Sequence, residues 1–238
     1  MKKKLVIFQI RSDKFKEIGM QMENSLKYFH PDIPFIVFNQ QKIDEAQKER
    51  PNFMKLYGYP YIGLKLSKEY EMVIQMDADS IICGKLDELL NIDQQYDLAC
   101  VQNNSSRGFQ NTYGDIPIDE YVNAGLVASR SEVFWYEWLD RCEKESKGKY
   151  FGEQDVLNII IHSKKYKLLM LDGDNTNVYY GCSSFNSYSS MSLVGEDIIL
   201  NEKKVKIIHT AGDMNNKLKV FNTNEQVADR IKFLLSSH

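Results

Sequence analysis

The sequence has few cysteines, little net charge and no long apolar run. Its cysteines are Cys83, Cys100, Cys142 and Cys182, and no two of them form a Cys-x-x-Cys pair. Such wide spacing suits neither a zinc site nor a dense disulfide framework, so it favours a reducing compartment and predicts a cytoplasmic location. The net charge of -3 argues against a nucleic-acid-binding protein, although it leaves a local basic patch open.

The N-terminal segment begins like a signal peptide, with lysines at positions 2 to 4 before the apolar residues 5–10. Arg11 and Asp13 end that run after six residues, which is too short for a secretory core segment, and we expect a buried first strand instead. No apolar run reaches the length needed to cross a bilayer. The chain of 238 residues is 43% hydrophobic, which is enough to bury a sizeable core, and it shows no repeat or domain linker.

Apolar segments of strand length alternate with segments of helical periodicity. We expect strands at residues 5–10, 35–38, 73–76, 98–101, 121–129, 168–171 and 205–208. We expect helices at residues 14–29, at 52–66 with a break near Gly58 and Pro60, after a cap at Ser131, at 154–162 and at 224–235, and irregular structure at 180–194. This alternation predicts an α/β fold with a largely parallel central sheet and flanking helices.

The predicted strand 73–76 is followed directly by Asp77-Ala78-Asp79. Residues two apart on an extended chain point the same way, so the two carboxylates converge and repel each other unless a cation lies between them. A hard divalent ion takes oxygen ligands and keeps positions open for substrate phosphates. Because ligands of α/β sheets bind outside the carboxyl ends of strands, we predict a metal site for a phosphorylated ligand, with a solvated acidic turn as the alternative.

Three further segments have residue types suited to a site: Asn123-Ala124-Gly125, Gly152-Glu153-Gln154-Asp155 and His209-Thr210-Ala211-Gly212. Together with the Asp-x-Asp segment, their order and spacing resemble the GT-A nucleotide-sugar-dependent glycosyltransferases. The likeness is to family 8, which includes glycogenin and the bacterial lipopolysaccharide galactosyltransferases, and it covers residues 5–217. It implies one GT-A domain over residues 1–238, with a nucleotide-binding half at 1–102 and an acceptor-side half at 103–238.

The resemblance implies a retaining enzyme that transfers a hexose from a UDP-sugar to a saccharide or glycolipid acceptor. Asp77, Asp79 and His209 would bind manganese, the usual ion of the family, or magnesium. Such an ion bridges the two phosphates of the donor and stabilises the charge on the departing diphosphate. The alternative for His209 is a histidine that only caps a strand end.

The resemblance also implies a set of donor-binding residues. It consists of Gln9, Ile10, Arg11, Asp13, Phe15, Asp77, Ala78, Asp79, Asn123, Gly125, Gly212 and Lys217. Asp13 would accept hydrogen bonds from the ribose or the base, with an N-cap of the following helix as the alternative. Phe15 stands near the position of a family aromatic that contacts uracil, and Gly212 would let the backbone approach the phosphates closely.

The sequence departs from the family at two basic positions. The family lysine lies three residues after the glycine, whereas Lys217 lies two residues further on, so Lys219 is an alternative. A second basic residue precedes the Asp-x-Asp strand in the family. Its spacing leads to Pro60 or Tyr61 in this chain, which leaves Lys55 and Lys65 as alternatives.

Glu153, Gln154 and Asp155 are the catalytic residues that the resemblance implies. Gln154 would lie below the anomeric carbon, and Asp155 would contact the donor sugar or act as a nucleophile. A nearby carboxylate can stabilise the oxocarbenium-like transition state of retaining transfer. The alternative is that both acidic residues only favour the helix N-terminus electrostatically.

The long polar segment 103–121 predicts a mobile lid on the acceptor side, with Gly108 and Gly114 as hinges and Phe109 and Tyr113 as sugar-stacking residues. The alternative is an insertion with no role. The sequence leaves a peripheral membrane contact and the oligomeric state open.

Three other functions are compatible with parts of the pattern. A haloacid-dehalogenase-like phosphatase would use Asp77 as nucleophile, although that residue normally ends the first strand of its fold. A nucleotidyltransferase usually opens with a Gly-rich basic loop, which residues 8–19 lack. A binding module without activity would have no need of intact Asp77, Asp79 and His209.

Overall fold

The computed structural model describes residues 2–51, 53, 57–103, 116, 120–145, 152–171, 178–180, 190–210 and 224–236. Most of the predicted lid lies outside this part of the chain, as do Gly212, Lys217, Lys219 and Lys55. None of the helices within the described ranges has the length and hydropathy of a membrane-spanning segment.

The strands are β1 (Lys3–Arg11), β2 (Phe35–Asn39), β3 (Tyr70–Met76), β4 (Ser80–Ile82), β5 (Leu98–Gln102), β6 (Val122–Ser129), β7 (Leu168–Met170), β8 (Val178–Tyr179), β9 (Ser192–Val194), β10 (Asp197–Leu200), β11 (Lys203–Val205) and β12 (Ile207–His209). The helices are α1 (Lys16–Phe29), α2 (Gln40–Glu49), α3 (Gly58–Ser67), α4 (Asp87–Leu90), α5 (Glu132–Glu145), α6 (Glu153–His162) and α7 (Glu225–Leu235). A 3-10 turn at Asp13–Phe15 precedes α1.

The central sheet has six strands in the order β2-β1-β3-β6-β5-β7. β1 is parallel to β2 and β3, and β5 is parallel to β7, whereas β6 runs antiparallel to both β3 and β5. The predicted, largely parallel α/β sheet is thus confirmed, and among its six described strands only β6 is reversed. Because β6 is reversed, its first residues lie at the edge where the parallel strands end.

Both faces of the central sheet are covered by helices, as its continuous apolar strands require. Val73 of β3 faces one core cluster together with Phe134 and Trp135 of α5 and Val156 of α6. Its neighbour Ile74 faces a second cluster on the opposite side, which includes residues of α1 and α4. The period-two alternation of side chains along the strand produces this division.

Outside the central sheet, β8, β11, β10 and β9 form a four-stranded sheet, and β12 pairs with β4 as a two-stranded ribbon. A third core cluster joins this part to α7 through Ile198, Ile208, Val227 and Ile231. Asn224 caps α7, since its Oδ1 accepts hydrogen bonds from the amides of the first helical turn. The predicted helix at 224–235 is therefore confirmed.

Several predicted boundaries are wrong. The expected strand 205–208 is two strands, because the chain changes partner at Lys206: β11 pairs with β10 and β8, and β12 pairs with β4. Residues 192–194 form β9, although irregular structure was expected there. By contrast, the predicted break near Gly58 and Pro60 is confirmed, because Phe53 is helical, Tyr57 lies in a turn and α3 begins at Gly58. Pro60 lies in the first turn of α3, where its missing amide proton is not needed.

We predict that Gly63→Ala destabilises the fold. A Cβ at this position of α3 would overlap the ring of Trp135, which is fully buried in α5 and stacks on Trp138 with 5.7 Å between ring centroids. Overpacking of this kind costs about 1–3 kcal/mol, more than the roughly 1 kcal/mol that alanine gains in helix propensity. Urea unfolding measures the difference.

Gly84→Ala is the matched control for Gly63→Ala. Its Cβ would meet Cδ of Lys206 at 3.2 Å, and that side chain is flexible enough to move away. A Gly63→Ala protein as stable as the wild type would show that α3 and α5 do not pack as described.

Candidate active site

The end of β3 and the beginning of β6 meet at the carboxyl edge of the sheet. Met76 pairs with Leu126, and the amide of Asp77 donates to the carbonyl oxygen of Gly125 at 2.8 Å. On its other side, β6 shifts register against β5, so that residues 124–126 lie between the pairs Cys100–Val127 and Val101–Asn123. This irregularity brings the predicted Asn123-Ala124-Gly125 segment beside the first aspartate.

His209 is brought to the aspartates by the β4–β12 ribbon. It pairs with Ser80, the residue that follows Asp79. The next residue, Thr210, donates to the carbonyl oxygen of Asp79 from its amide and from its hydroxyl, each at 3.0 Å. The backbone pairing of His209 with Ser80 and of Thr210 with Asp79 therefore fixes the position of the imidazole.

Asp77, Asp79 and His209 converge as the sequence predicted, with one ligand atom of each within 4.8 Å of the others. Nε2 of His209 lies 3.1 Å from Oδ1 of Asp79 and 3.4 Å from Oδ2 of Asp77. Asp79 is 6% exposed and His209 is 9% exposed. Two carboxylates and one imidazole are a donor set that suits manganese, so the residues present fit the metal that the resemblance implies.

The charges of the triad compensate one another. Burial by itself lowers the pKa of His209, but the carboxylates of Asp79 and Asp77 outweigh it and raise that pKa well above its ordinary value. A proton and a divalent cation would compete for the same Nε2, since both neutralise the two carboxylates.

Gly125 leaves the space that the imidazole needs. A Cβ built on Gly125 would lie 2.5 Å from Cε1 of His209 and 2.6 Å from Oδ1 of Asn123. The Asn123 oxygen in turn accepts a hydrogen bond from the Gly125 amide at 2.7 Å. The Asn-x-Gly segment thus forms one wall of the triad, and a side chain at the glycine would displace the histidine.

Tyr59 and Gln75 belong to the site and were missed in the sequence. The Tyr59 hydroxyl donates to Oδ1 of Asp77, and Nε2 of Gln75 donates to the same oxygen at 3.2 Å. Burial, followed by the nearby carboxylate of Asp77, raises the pKa of Tyr59 well above 10, so the hydroxyl keeps its proton. Gln75 could have been found, because it is a polar residue inside an apolar strand and points the same way as Asp77.

The N-terminal turn of α6 is tied to the beginning of β6. Oε1 of Gln154 accepts from the amide of Ala124 at 3.0 Å. The Asn158 side chain bonds both the amide and the carbonyl group of Val122, at 2.8 and 2.9 Å. Asp155 is 2% exposed and accepts a hydrogen bond from the Tyr121 hydroxyl. These contacts place the three predicted catalytic residues at the same sheet edge as the triad.

Glu153 is half-buried at the start of α6 and lies in the field of two other carboxylates. Burial, with the charges of Asp77 and Asp155, raises the pKa of Glu153 to about 8. In the metal-free protein this side chain is therefore mostly protonated at pH 7.

The residues predicted at the end of β1 have differing surroundings. The Gln9 side chain is fully buried, and its Oε1 accepts from Nε of Arg11 at 2.7 Å. The Arg11 guanidinium also donates to the carbonyl oxygen of Gly19 at 2.7 Å and to Glu23 at 3.0 Å, so it faces α1. Ile10 is part of the core.

Asp13 is exposed and begins the 3-10 turn, whose N-cap is Ser12, while Phe15 is the N-cap of α1. The N-cap alternative for Asp13 is therefore wrong. The half-buried Phe15 ring lies 5.2 Å from Nζ of Lys14. Among the residues considered for the second basic position, Lys65 places its Nζ 4.4 Å from the ring centroid of Tyr61.

A cleft opens beside the triad. Its lining includes His209, Asn123, Gly125, Val101, Tyr180 and Ile207. The side chain of Tyr180 is held by the hydrogen bond that its hydroxyl donates to Glu88.

We predict that Glu153 contributes to the stability of the chelator-treated protein at low pH and that this contribution is lost as pH rises from about 4.5 to about 8. Unfolded Glu153 loses its proton near the ordinary value of 4.5, whereas folded Glu153 keeps it up to about 8, so deprotonation favours the unfolded state. Because one proton is involved, the equilibrium constant for unfolding should rise by at most about tenfold per pH unit. Glu153→Gln should remove this contribution, and Glu45→Gln, at an exposed position of α2, should keep it. Parallel pH profiles for wild type and Glu153→Gln would contradict the prediction.

No protein-family model and no curated protein sequence matches this chain. Solved structures do. LgtC, a galactosyltransferase in complex with donor and acceptor sugar analogues, superposes with a TM-score of 0.59 at 14% identity, over 97% of this chain and 95% of that one. A glycosyltransferase involved in glycosylation of the major capsid of PBCV-1 gives 0.58 at 8% identity, over 96% and 98%.

The bifunctional glycosyltransferase WbbM gives a TM-score of 0.58 at 15% identity over 97% of this chain, which spans only 52% of the length of WbbM. At these identities the likeness concerns the fold. The closer resemblance to family 8 stays a prediction from the motifs. The chain has the fold of the GT-A glycosyltransferases, as the sequence predicted.

Proposed function

We propose that the chain is a metal-dependent, retaining glycosyltransferase that transfers a hexose from a UDP-sugar to a saccharide or glycolipid acceptor. The observation that supports this most directly is the convergence of Asp77, Asp79 and His209 at the carboxyl end of β3. In a GT-A fold this position suits the diphosphate of a nucleotide sugar.

Asp77, Asp79 and His209 would hold the cation, manganese or magnesium. When bound, it would supply positive charge to the diphosphate as the bond to the sugar breaks. Gly125 contributes by leaving room for the imidazole, since a Cβ there would lie 2.5 Å from the histidine ring. The donor would also use Ala78 and Asn123, which belong to the same edge of the sheet.

The nucleoside would bind at the end of β1. Asp13 is exposed there and Phe15 is half-buried, so both offer surface to a ligand. Gln9, Ile10 and Arg11 would act mainly by shaping that strand end, because their side chains are engaged within the protein. Gly212 and Lys217 stay part of the proposal through the resemblance alone.

The sugar would lie between the triad and the start of α6. The Gln154 side chain is held against the Ala124 amide, which suits a fixed role beneath the anomeric carbon. Asp155 is buried and bonded to Tyr121, which favours contact with the donor sugar over the role of a nucleophile. Glu153 lies close enough to Asp77 and Asp155 for their charges to raise its pKa, so a bound cation would lower that pKa and favour its anionic form.

The acceptor would enter through the cleft lined by His209, Asn123 and Tyr180. Segment 103–121 would close over it and exclude water that would otherwise hydrolyse the donor. A cytoplasmic location, where nucleotide sugars are available and thiols stay reduced, fits this reaction.

The phosphatase alternative lacks support in the fold. Its nucleophile ends the first strand of the sheet, whereas Asp77 follows β3, the third strand along the chain. A nucleotidyltransferase would share the nucleotide site, so the reaction products, a glycoside or a new pyrophosphate, distinguish it from the proposed enzyme.

We predict that manganese strengthens UDP binding and that EDTA abolishes the gain. Asp79→Asn should remove the manganese-dependent part of the affinity and reduce hexose transfer by at least about 100-fold, because a charged ligand that is itself only 6% exposed is lost from the triad. Calorimetry with UDP, with and without manganese, measures the first effect.

Asp229→Asn is the control for the charge change, since Asp229 pairs with Lys232 on the surface of α7. UDP affinity that is the same with and without manganese in the wild type would refute the proposed metal dependence.

We also predict retention of configuration. An α-linked UDP-sugar should give an α-linked product, and the anomeric proton coupling in the NMR spectrum of the product reports the linkage. A β-linked product would identify an inverting enzyme and remove the proposed role of Gln154.

A further inference from the structure

The two oxygens of the Asp77 carboxylate have different surroundings. Oδ1 accepts two hydrogen bonds from the protein, from the Tyr59 hydroxyl and from Nε2 of Gln75. Oδ2 lies on the side of the triad, 3.4 Å from Nε2 of His209. A carboxylate that is held in this way presents one oxygen to the triad and keeps the other occupied.

Both donors are fixed by the fold. Tyr59 is the second residue of α3 and packs against the core cluster formed with β1, β3 and α5. Gln75 is fully buried on β3, two residues before Asp77. A rotation of the Asp77 carboxylate that turned both oxygens toward the triad would break both hydrogen bonds, and it would leave the partly buried Tyr59 hydroxyl and the buried Gln75 amide unsatisfied.

We propose that Tyr59 is a positioning residue that makes Asp77 a one-oxygen ligand and thereby sets the preference of the site for a small divalent cation over calcium. This rests on the proposed metal site and concerns its selectivity. Tyr59 would touch neither the metal nor the donor, and it would act through Oδ1 of Asp77.

The coordination preferences of the cations determine which ion a one-oxygen Asp77 favours. Calcium takes about six to eight oxygen ligands and often binds carboxylates through both oxygens, whereas magnesium demands a compact octahedral shell at about 2.0–2.1 Å. Manganese suits the mixed oxygen and imidazole set formed by Asp77, Asp79 and His209. Loss of the Tyr59 hydroxyl would leave Oδ1 with only the 3.2 Å hydrogen bond from Gln75. Oδ1 could then join Oδ2 on the ion more easily, which favours calcium relative to manganese.

A purely structural role for Tyr59 predicts a different pattern. A hydrogen bond that only stabilised the fold would lower the affinities for both cations by the same factor, or would change neither. The ratio of the two affinities therefore separates a positioning residue from a structural one.

The test is the binding of manganese and of calcium, each added alone to the full chain without donor, measured by calorimetry. Tyr59→Phe keeps the ring and removes the hydroxyl. We expect its manganese affinity to fall by about 10- to 100-fold, in the range known for residues that orient metal ligands. We expect its calcium affinity to fall less than its manganese affinity, or to rise, because Oδ1 becomes more available to the ion. The manganese-to-calcium affinity ratio should therefore fall by at least about fivefold.

Tyr57→Phe is the matched control. It removes a hydroxyl two residues away that donates to the Pro51 carbonyl oxygen at 2.5 Å, so both affinities should stay at wild-type values. Gln75→Leu provides a second variant should Tyr59→Phe fold poorly. It removes the weaker donor to Oδ1, so the manganese-to-calcium affinity ratio should fall as in Tyr59→Phe, but by a smaller factor.

The outcomes separate this inference from the proposed function. If wild type binds manganese, Asp79→Asn does not, and Tyr59→Phe and Gln75→Leu keep the wild-type ratio, the role of Tyr59 is refuted while the metal site stands. If wild type binds neither cation, both the metal site and the role of Tyr59 are refuted. A lower manganese-to-calcium ratio in Tyr59→Phe, with Tyr57→Phe unchanged, supports the inference.

Discussion

The contact of one imidazole with two carboxylates is the interaction on which the rest of the site depends. Asp77 and Asp79 follow the same strand and would repel each other in a nearly buried position. His209 lies within 3.4 Å of both and comes from a strand 130 residues later in the chain than Asp79. The β4–β12 ribbon makes this meeting possible, because His209 pairs with Ser80, the next residue after Asp79. The free energy of that pairing is therefore coupled to the charge state of the triad, and to any cation that binds there.

The sequence was sufficient to predict this triad and the α/β fold around it. Asp77 and Asp79 could be placed because ligands bind at strand ends in α/β sheets. His209 could be added because its His-x-x-Gly motif, in its order after the Asp-x-Asp segment, resembles the GT-A glycosyltransferases. The direction of β6 was not predictable, since an apolar segment has the same pattern in either direction. Tyr59 was not predicted as a site residue, because its contact with Asp77 depends on the way α3 packs against the sheet. Packing of this kind leaves no spacing signal in the sequence.

The helix start that carries the proposed catalytic residues is linked to the triad by two routes. One is mechanical: Asn158 and Gln154 hold α6 to the first residues of β6, the strand that also contacts Asp77. The other is electrostatic, because the charge of Asp77 helps to raise the pKa of Glu153. A cation at the triad would reduce the negative potential at Glu153, so binding of the metal and the charge of Glu153 would change together.

The coordination of manganese in the presence of UDP tests the central claim most directly. Pulsed electron paramagnetic resonance of the manganese complex detects nearby nitrogen and phosphorus nuclei through their couplings to the electron spin. The account predicts one imidazole nitrogen coupling that disappears in His209→Asn, together with phosphorus couplings from UDP. A bound manganese ion that shows phosphorus couplings but no imidazole nitrogen, in a protein that is folded by circular dichroism, would contradict the assignment of Asp77, Asp79 and His209 as the metal site.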